Sequence, residues 1–214
     1  MQIEVFSDVV CPWCFVGFAR LQEALAARPG IGAQVVWLPF ELNPDMPAEG
    51  RDRLEYMRER FGDVNRFDAA QKDLQGVGRQ MGIDFRFERI RRAPNTRRAH
   101  MLLAWARRHG VQTPVKKAVL EAYFTHGLDV GDPEVLAELA ADCGLERAAA
   151  LAALGDSALR SEVDALEALA RRWNVSGVPT FVFDRRHAFS GAQPLDVFLQ
   201  VFDALRRPAG ATAH

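Results

Sequence analysis

The sequence predicts an α/β fold whose two halves are separated by a large all-helical insertion. Residues 1–44 have the pattern of a strand, a helix and a second strand, whereas residues 155–207 have the pattern of a helix, a hairpin and a final helix. Residues 45–154 carry helical patterns almost throughout. This order indicates a βαβ half and an αββα half of one sheet domain, interrupted by an inserted helical domain.

The first half follows from its apolar pattern. Residues 3–10 form a short apolar-rich run with two acids, which is typical of a buried strand. Residues 12–25 are predicted to be helical, because Phe and Leu side chains recur there at spacings of three and four. Residues 34–40 are rich in β-branched and aromatic side chains and predict the second strand.

The helical segment is predicted from apolar spacing and from start and stop signals. Thr113-Pro114 and Asp132-Pro133 each pair an N-cap residue with a proline suited to the first helical position. Gly127 and Gly144 are the matching stop signals. Further helices are predicted over residues 48–61, 64–81 and 95–109, and residues 83–88 are ambiguous between helix and strand.

The second half predicts a helix over residues 156–173, strands over 180–183 and 187–190 joined by a turn, and a helix over 195–205. Without the insertion this order is the thioredoxin topology. The sequence therefore predicts a thioredoxin fold with a large all-helical insertion between the βαβ and αββα halves. The predicted boundaries are residues 1–44 and 155–207 for the thioredoxin-like domain, 45–154 for the inserted helical domain and 208–214 for a flexible tail.

Composition excludes several classes of protein. The 214 residues include 27 Lys and Arg against 28 Asp and Glu, so the net charge of −1 gives no reason to expect nucleic acid as a partner. No apolar run approaches the roughly 18 residues of a membrane span, so no membrane partner is expected. Three cysteines argue against a secreted disulfide framework. No signal peptide is visible, so we expect a cytoplasmic protein.

The chemistry is predicted to lie in Cys11-Pro12-Trp13-Cys14, at the junction of the first strand and the first helix. Pro12 suits the first helical position, which makes Cys11 the N-cap. The helix N-terminus favours a thiolate there, so Cys11 is expected to be the exposed attacking sulfur with a lowered pKa. Cys14 is expected to be more buried and to act as the resolving thiol.

Two other interpretations of the cysteine pair are weaker. Half of a zinc site would need two further ligands, and the sequence contains no second CxxC and no HxxxH. No metal is therefore expected. An inert buried pair fits poorly with the position between strand and helix. A redox pair is the favoured interpretation.

Two segments carry a resemblance to a known family: SDVVCPWCFVGFARL at residues 7–21 and SGVPTFVFDRRHAFSGAQP at 176–194. With FELNP at 40–44 and NTRRAH at 95–100, they resemble the DsbA-type thioredoxin superfamily, in particular its FrnE-like dithiol oxidoreductases. The same branch is similar to kappa-class glutathione transferases and 2-hydroxychromene-2-carboxylate isomerases. Those relatives carry a serine where this chain has Cys11.

The resemblance implies a catalytic pair at Cys11 and Cys14 and a cis-Pro179 facing it. It places Pro12, Trp13, Val178 and Pro179 against the substrate, with the backbone of Val178 available to an extended chain. DsbA has a histidine where this chain has Trp13, so strong oxidase behaviour is not implied. No cofactor is expected, although glutathione is compatible as a co-substrate, and a homodimer is compatible with the resemblance.

Weaker signals fall on other residues. Asp8 is either a proton shuttle or, as we favour, a solvated or turn-capping side chain. His100 is expected to pack or to hydrogen-bond, and Cys143 to pack. On resemblance alone, Asn43, Arg97 and Gln193 are candidates to line the cleft.

The sequence thus predicts a thiol–disulfide oxidoreductase that acts through a mixed disulfide on a protein or small-molecule thiol or disulfide. One alternative is a glutathione-dependent isomerase or transferase that acts on a small aromatic or polyketide-like molecule. A second alternative is a peptide-binding or chaperone-like module that does not use the cysteines.

Overall fold

The computed structural model describes residues 1–62 and 64–206, leaving aside the side chains of residues 61 and 64–66. Its main sheet has four strands in the order β2-β1-β5-β6. β1 pairs in parallel with β2 and antiparallel with β5, which forms a hairpin with β6. The strands are β1 (Gln2–Ser7), β2 (Gln34–Pro39), β5 (Thr180–Phe183) and β6 (His187–Ser190).

Helices cover both faces of this sheet. On one face Val5 and Phe181 belong to the large core that also includes the apolar residues of α1 and α9. On the other face Phe6, Leu38 and Val182 pack with α8. All four residues of β5 are buried, as expected for a strand that lies between two helical layers. The helices of this part are α1 (Pro12–Ala27), α8 (Ser157–Arg172) and α9 (Leu195–Arg206).

The helical segment lies between β2 and α8. It contains a two-stranded sheet of β3 (Arg51–Asp52) and β4 (Arg92–Ala93). Its helices are α2 (Arg53–Phe61), α3 (Val64–Gln80), α4 (Arg97–Arg108), α5 (Gln112–Glu121), α6 (Pro133–Asp142) and α7 (Arg147–Leu154). Short single-turn segments follow α1 and α3, and a π-helical turn extends α5 to His126.

The predicted fold class is confirmed. The proposed division into domains at residues 45 and 154 stays a prediction, and the predicted tail at 208–214 lies outside the described residues. Three predicted element boundaries are wrong. β1 ends at Ser7 rather than at residue 10, because residues 8–10 turn towards α1. The helix predicted from residue 48 begins at Arg53, because the two residues before it pair with β4.

The third wrong boundary concerns the start of α5. This helix begins at Gln112, with Val111 as the N-cap, so Thr113 is not the cap that the Thr-Pro signal predicted. Pro114 still lies in the first turn, where its missing N–H has no partner to lose. The companion signal at Asp132-Pro133 is correct, since the Asp132 side chain accepts a hydrogen bond from the N–H of Glu134.

Candidate active site

The cysteine pair lies where the turn after β1 enters α1. Cys11 has extended backbone angles as the N-cap, and Pro12 begins the helix. The N–H of Cys14 donates to the carbonyl of Cys11 at 3.0 Å, which closes the first turn. Neither cysteine is in a disulfide. The predicted position of the pair in the fold is therefore the observed one.

The exposure of the pair differs from the prediction. Cys11 is only 5% exposed and Cys14 is 1% exposed, whereas Trp13 between them is 44% exposed. Cys11 is covered because the loop before β5 lies against it, with the Cys11 thiol 3.6 Å from the carbonyl oxygen of Val178. The attacking sulfur that was expected to be exposed is therefore nearly enclosed, and the indole of Trp13 is the exposed part of the motif.

The surroundings of the two sulfurs separate their pKa values. A hydrogen bond from the Cys14 thiol lowers the pKa of Cys11 most; burial opposes this effect, and the N–H of Cys14 assists it. Burial raises the pKa of Cys14 well above its ordinary value, and the neighbouring Cys11 sulfur adds to the rise. The directions match the expected roles. The largest cause at Cys11 is the Cys14 thiol, and the helix N-terminus contributes through the N–H of Cys14.

The Val178–Pro179 peptide bond is cis, as the resemblance implied. The loop that contains it is held at both ends by hydrogen bonds. The N–H of Gly191 donates to the Pro179 carbonyl at 2.7 Å, and the Thr180 hydroxyl donates to the Gly177 carbonyl at 2.7 Å. These contacts place the Val178 backbone beside the Cys11 sulfur.

Asp8 and His100 form a buried pair beneath the cysteines. Nε2 of His100 lies 3.2 Å from Oδ1 of Asp8, and the two side chains are 1% and 0% exposed. The Asp8 carboxylate also accepts hydrogen bonds from the N–H groups of Val9 at 2.7 Å and Leu42 at 2.8 Å. Burial favours the protonated acid, but His100, the N–H of Leu42 and Lys116 outweigh it and lower the pKa of Asp8. The solvated alternative for Asp8 is therefore wrong, and its turn-capping role is correct.

Lys116 is a site residue that the sequence reasoning missed. It lies on α5 and is fully buried, and within the described residues its Nζ has no hydrogen-bond partner. Nζ lies 5.8 Å from the centre of the Trp37 ring. Burial lowers the pKa of Lys116, while electrostatic interaction with Cys14, Asp8 and Cys11 opposes that shift. The signal was present: residues three and four positions on, Val119 and Leu120, are apolar, so Lys116 had to share their face.

Of the three residues expected to line the cleft, Asn43 lines a cavity beside the cysteine motif, whereas Arg97 and Gln193 make other contacts. Arg97 instead forms ion pairs with Glu41, at 2.6 Å, and with Asp164. The Gln193 side chain donates to the Ser190 carbonyl at 2.8 Å. Cys143 is half-buried at the end of α6.

The cavity has a volume of about 500 Å³. Val10 and Pro12, the two neighbours of Cys11, form part of its wall, and the rest comes mainly from α2, α3 and the aromatic residues of the helical segment. Within the described ranges, no group of three or more His, Cys, Asp and Glu side chains is placed to hold a metal ion. In the same ranges no helix is both long and apolar enough to cross a membrane.

A thioredoxin-type sheet with a CxxC pair at the start of the first helix, faced by a cis-proline loop, defines the class of thioredoxin-fold thiol–disulfide oxidoreductases. The DSBA-like thioredoxin domain matches residues 2–203, and the chain belongs to this family.

Solved structures are similar over nearly the whole chain. A probable DsbA oxidoreductase from Streptomyces coelicolor is 33% identical, with a TM-score of 0.88 over 99% of this chain and 94% of that one. A 2-hydroxychromene-2-carboxylate isomerase is 19% identical, with a TM-score of 0.71 and 96% of each chain covered. The cytosolic disulfide reductase DsbM from Pseudomonas aeruginosa, solved with glutathione, is 21% identical, with a TM-score of 0.68 over 97% of this chain and all of that one. At these two lower identities the likeness shows the fold alone.

Proposed function

We propose that this protein exchanges thiols and disulfides through a mixed disulfide at Cys11. The observation that carries the proposal is that the hydrogen bond between Cys14 and Cys11 shifts the pKa values of the two thiols in opposite directions. The Cys14 thiol donates to Cys11, which lowers the pKa of Cys11 while the pKa of buried Cys14 is raised. A two-step exchange uses such a pair, because the sulfur with the lower pKa is the better nucleophile for the first step and the other sulfur is kept for the second.

In the first step the Cys11 thiolate attacks one sulfur of a substrate disulfide. A Cys11–substrate S–S bond forms, the substrate S–S bond breaks, and the departing sulfur leaves as a thiolate that takes a proton from solvent. In the second step Cys14 loses its proton and attacks the Cys11 sulfur, which releases the second substrate thiol. The substrate gains two electrons and two protons, and the enzyme becomes the Cys11–Cys14 disulfide. The reverse sequence oxidises a dithiol.

Pro12, Trp13, Val178 and Pro179 are the residues we assign to substrate contact. Trp13 offers an exposed aromatic surface, and Val178 offers its backbone next to the reacting sulfur. The substrate is a protein or small molecule that carries a thiol or disulfide; glutathione is compatible as a co-substrate, and no resident cofactor is required. We place this activity in the cytoplasm, in keeping with the description of the similar DsbM as a cytosolic disulfide reductase.

Trapping tests the proposal directly. A Cys14→Ser variant in a Cys143→Ser background should accumulate mixed disulfides at Cys11 when it is expressed in its host, because the second step is blocked. Non-reducing gels and mass spectrometry would identify the partners. The matched control, which also carries Cys11→Ser, should accumulate none.

Two outcomes would overturn the proposal in favour of the alternatives. Full glutathione-dependent turnover of a small aromatic substrate by Cys14→Ser would favour an isomerase or transferase, because that chemistry needs no resolving thiol. Binding of unfolded peptides that is unchanged after both Cys11 and Cys14 are replaced would favour a peptide-binding module.

A further inference from the structure

The cavity beside the cysteine motif is lined mainly by apolar side chains, together with positive charges that no acidic side chain of the described lining balances. Its lining includes two arginines of α2, Arg53 and Arg60, and no aspartate or glutamate among the described residues. Aromatic and aliphatic side chains make up most of the remainder. Its volume of about 500 Å³ lies within the range of roughly 300–1,000 Å³ that is typical of small-molecule sites.

Arg53 is the more deeply buried of the two positively charged residues in this lining. One terminal nitrogen donates to the Phe87 carbonyl at 2.9 Å, and the guanidinium lies 5.6 Å and 5.8 Å from the ring centres of Phe67 and Phe87. Tyr123 is its other hydrogen-bond neighbour. Within the described residues Arg53 has no carboxylate partner, and its buried Nε has no hydrogen-bond partner. Burial of a guanidinium is costly unless an anion neutralises it.

Arg60 repeats the pattern nearer the surface. Its side chain donates to Asn43 at 3.2 Å, and in the described part of the chain it has no acidic partner. Other arginines differ from these two: Arg51, for example, pairs with the carboxylate of Glu59 on the exposed surface. The two arginines of the cavity thus leave open donors in front of an aromatic wall.

We propose that this cavity binds an aromatic carboxylate, with the ring against the apolar wall and the carboxylate on Arg53. The bidentate donor geometry of a guanidinium matches a carboxylate, and the neighbouring rings match a flat apolar body. Val10 and Pro12, the two chain neighbours of Cys11, line the cavity, so we place a sulfur on the bound ring at the end of the cavity nearest to Cys11. The substrate class is therefore an aryl thiol or aryl disulfide that carries a carboxylate. This redox part rests on the proposed function, whereas the binding part does not.

A sulfur-free probe tests the binding part alone. Naphthoate and its neutral analogue naphthalenemethanol would be titrated into the full-length protein by calorimetry. We expect naphthoate to bind at least about tenfold more tightly, because a charge-assisted hydrogen bond accounts for that much or more. Arg53→Met should remove the preference. Arg58→Met, on the same helix and outside the cavity lining, should keep it.

Equal binding of the two probes, or a preference that survives Arg53→Met, would overturn the binding proposal. Thermal unfolding of each variant checks that it folds. If Arg53→Met does not fold, Arg60→Met provides the second reading, and there the preference should fall severalfold. Retention of the full preference in Arg60→Met would then count against the proposal.

Aryl disulfides test the redox part. Dithiobis(nitrobenzoate), with one carboxylate on each ring, and neutral dithiodipyridine would be reduced by the reduced protein in single turnovers. Each rate would be divided by the rate of the same disulfide with free cysteine, which removes intrinsic reactivity. The corrected ratio should favour the anionic disulfide at least about tenfold and fall towards one in Arg53→Met.

A corrected ratio near one in the wild type would overturn the assignment of the substrate class. Reduction of hydroxyethyl disulfide, which is small and neutral, tests the proposed function separately. If that reaction fails while naphthoate still binds, the exchange chemistry is wrong and the carboxylate site stands. If it succeeds while naphthoate does not bind, the reverse holds.

Discussion

At the scale of single residues, two buried groups of opposite charge act on the Cys11 thiol. Lys116 lowers the pKa of Cys11, and Asp8 raises it. Both groups are buried, so the surrounding water screens neither of them as it would at the surface. The reactivity of Cys11 therefore depends on a balance that single substitutions can move in either direction.

Replacement of Lys116 by Met should raise the pKa of Cys11 and slow its alkylation at neutral pH severalfold. The substitution removes the cation and keeps the volume of the side chain. It should also increase the free energy of unfolding by about 1–3 kcal/mol, because a buried ammonium without a hydrogen-bond partner is lost. Iodoacetamide labelling against pH, followed by peptide mass spectrometry, and urea unfolding would measure both effects.

The matched control for this variant is Lys117→Met. Lys117 is the exposed neighbour of Lys116 and pairs with Glu121 at 3.5 Å on the helix surface. The Lys117→Met substitution should change the pH profile of Cys11 labelling little. An equal effect of the two lysines on the Cys11 profile would mean that the buried position has no special influence.

Replacement of Asp8 by Asn should move Cys11 the other way, to a lower pKa and faster labelling. It should also destabilise the fold by about 1–3 kcal/mol near neutral pH, because one of the three donors on the carboxylate would face an amide NH₂ group. The pKa of Asp8 is lowered by folding, so its contribution to stability is complete above the ordinary carboxyl pKa of about 3.9.

That contribution is lost as the pH falls through the lowered pKa of Asp8. The difference in unfolding free energy between wild type and Asp8→Asn should therefore shrink below about pH 4. Urea unfolding at several pH values would measure it. A difference that stays constant to low pH would show that the loss is steric and not electrostatic.

At the scale of elements, α1 packs closely against the loop before β5 because Gly17 has no side chain at the point of contact. A Cβ at Gly17 would lie 2.9 Å from Cγ of Pro179 and 3.1 Å from Cζ of Phe181. The backbone of Gly17 is helical, so the glycine is needed for space and not for its dihedral freedom. This close packing of α1 on the loop acts together with the hydrogen bonds of the loop to hold Val178 beside Cys11.

Replacement of Gly17 by Ala should displace the loop and slow disulfide exchange severalfold. Overpacking costs about 1–3 kcal/mol, which exceeds the gain of up to about 1 kcal/mol from helix propensity. The matched control is Gly76→Ala on α3, where the nearest heavy atom to an added Cβ is 3.9 Å away. That control should be neutral or stabilising. Wild-type exchange rates in Gly17→Ala would show that the activity does not depend on the position of this loop.

At the scale of the whole molecule, the surroundings of the thiolate come from both parts of the fold. Asp8 lies in the turn after β1, whereas His100 and Lys116 lie on α4 and α5 of the helical segment. The helical segment therefore does more than cover the sheet domain, since it contributes the buried cation that faces the cysteine pair.

We expect a reduction potential between those of DsbA, about −120 mV, and thioredoxin, about −270 mV, and nearer to the thioredoxin value. Thiolate stabilisation raises the potential. Here Trp13 adds no charge between the cysteines, and the effect of Asp8 on Cys11 opposes that of the buried Lys116. Equilibration in glutathione buffers with acid quenching would measure the potential. A value at or above that of DsbA would contradict this expectation and would favour the oxidation of dithiols.

Most local features of the fold were predictable from the sequence, whereas the end of β1, the short β3–β4 pair and the start of α5 were not. Helix and strand periods, the proline at the start of α1 and the position of the CxxC pair depend on residues a few positions apart. Such patterns follow from backbone geometry and from the burial of one face, so they identified the βαβ start, the closing hairpin and helix, and the motif that carries the chemistry. The resemblance added the cis-proline loop.

The electrostatic surroundings of the site were decided only by the tertiary structure. The pairing of Asp8 with His100 joins residues 92 positions apart, and Arg53 acquires its aromatic neighbours from α3 and from the segment before β4. A charged residue such as Lys116 on an apolar helix face can be noticed in the sequence, but the group that it will face cannot be read there. The physical reason is that periodicity determines which side of an element is buried, whereas the energy of a buried charge depends on the distances to partners that only packing brings together.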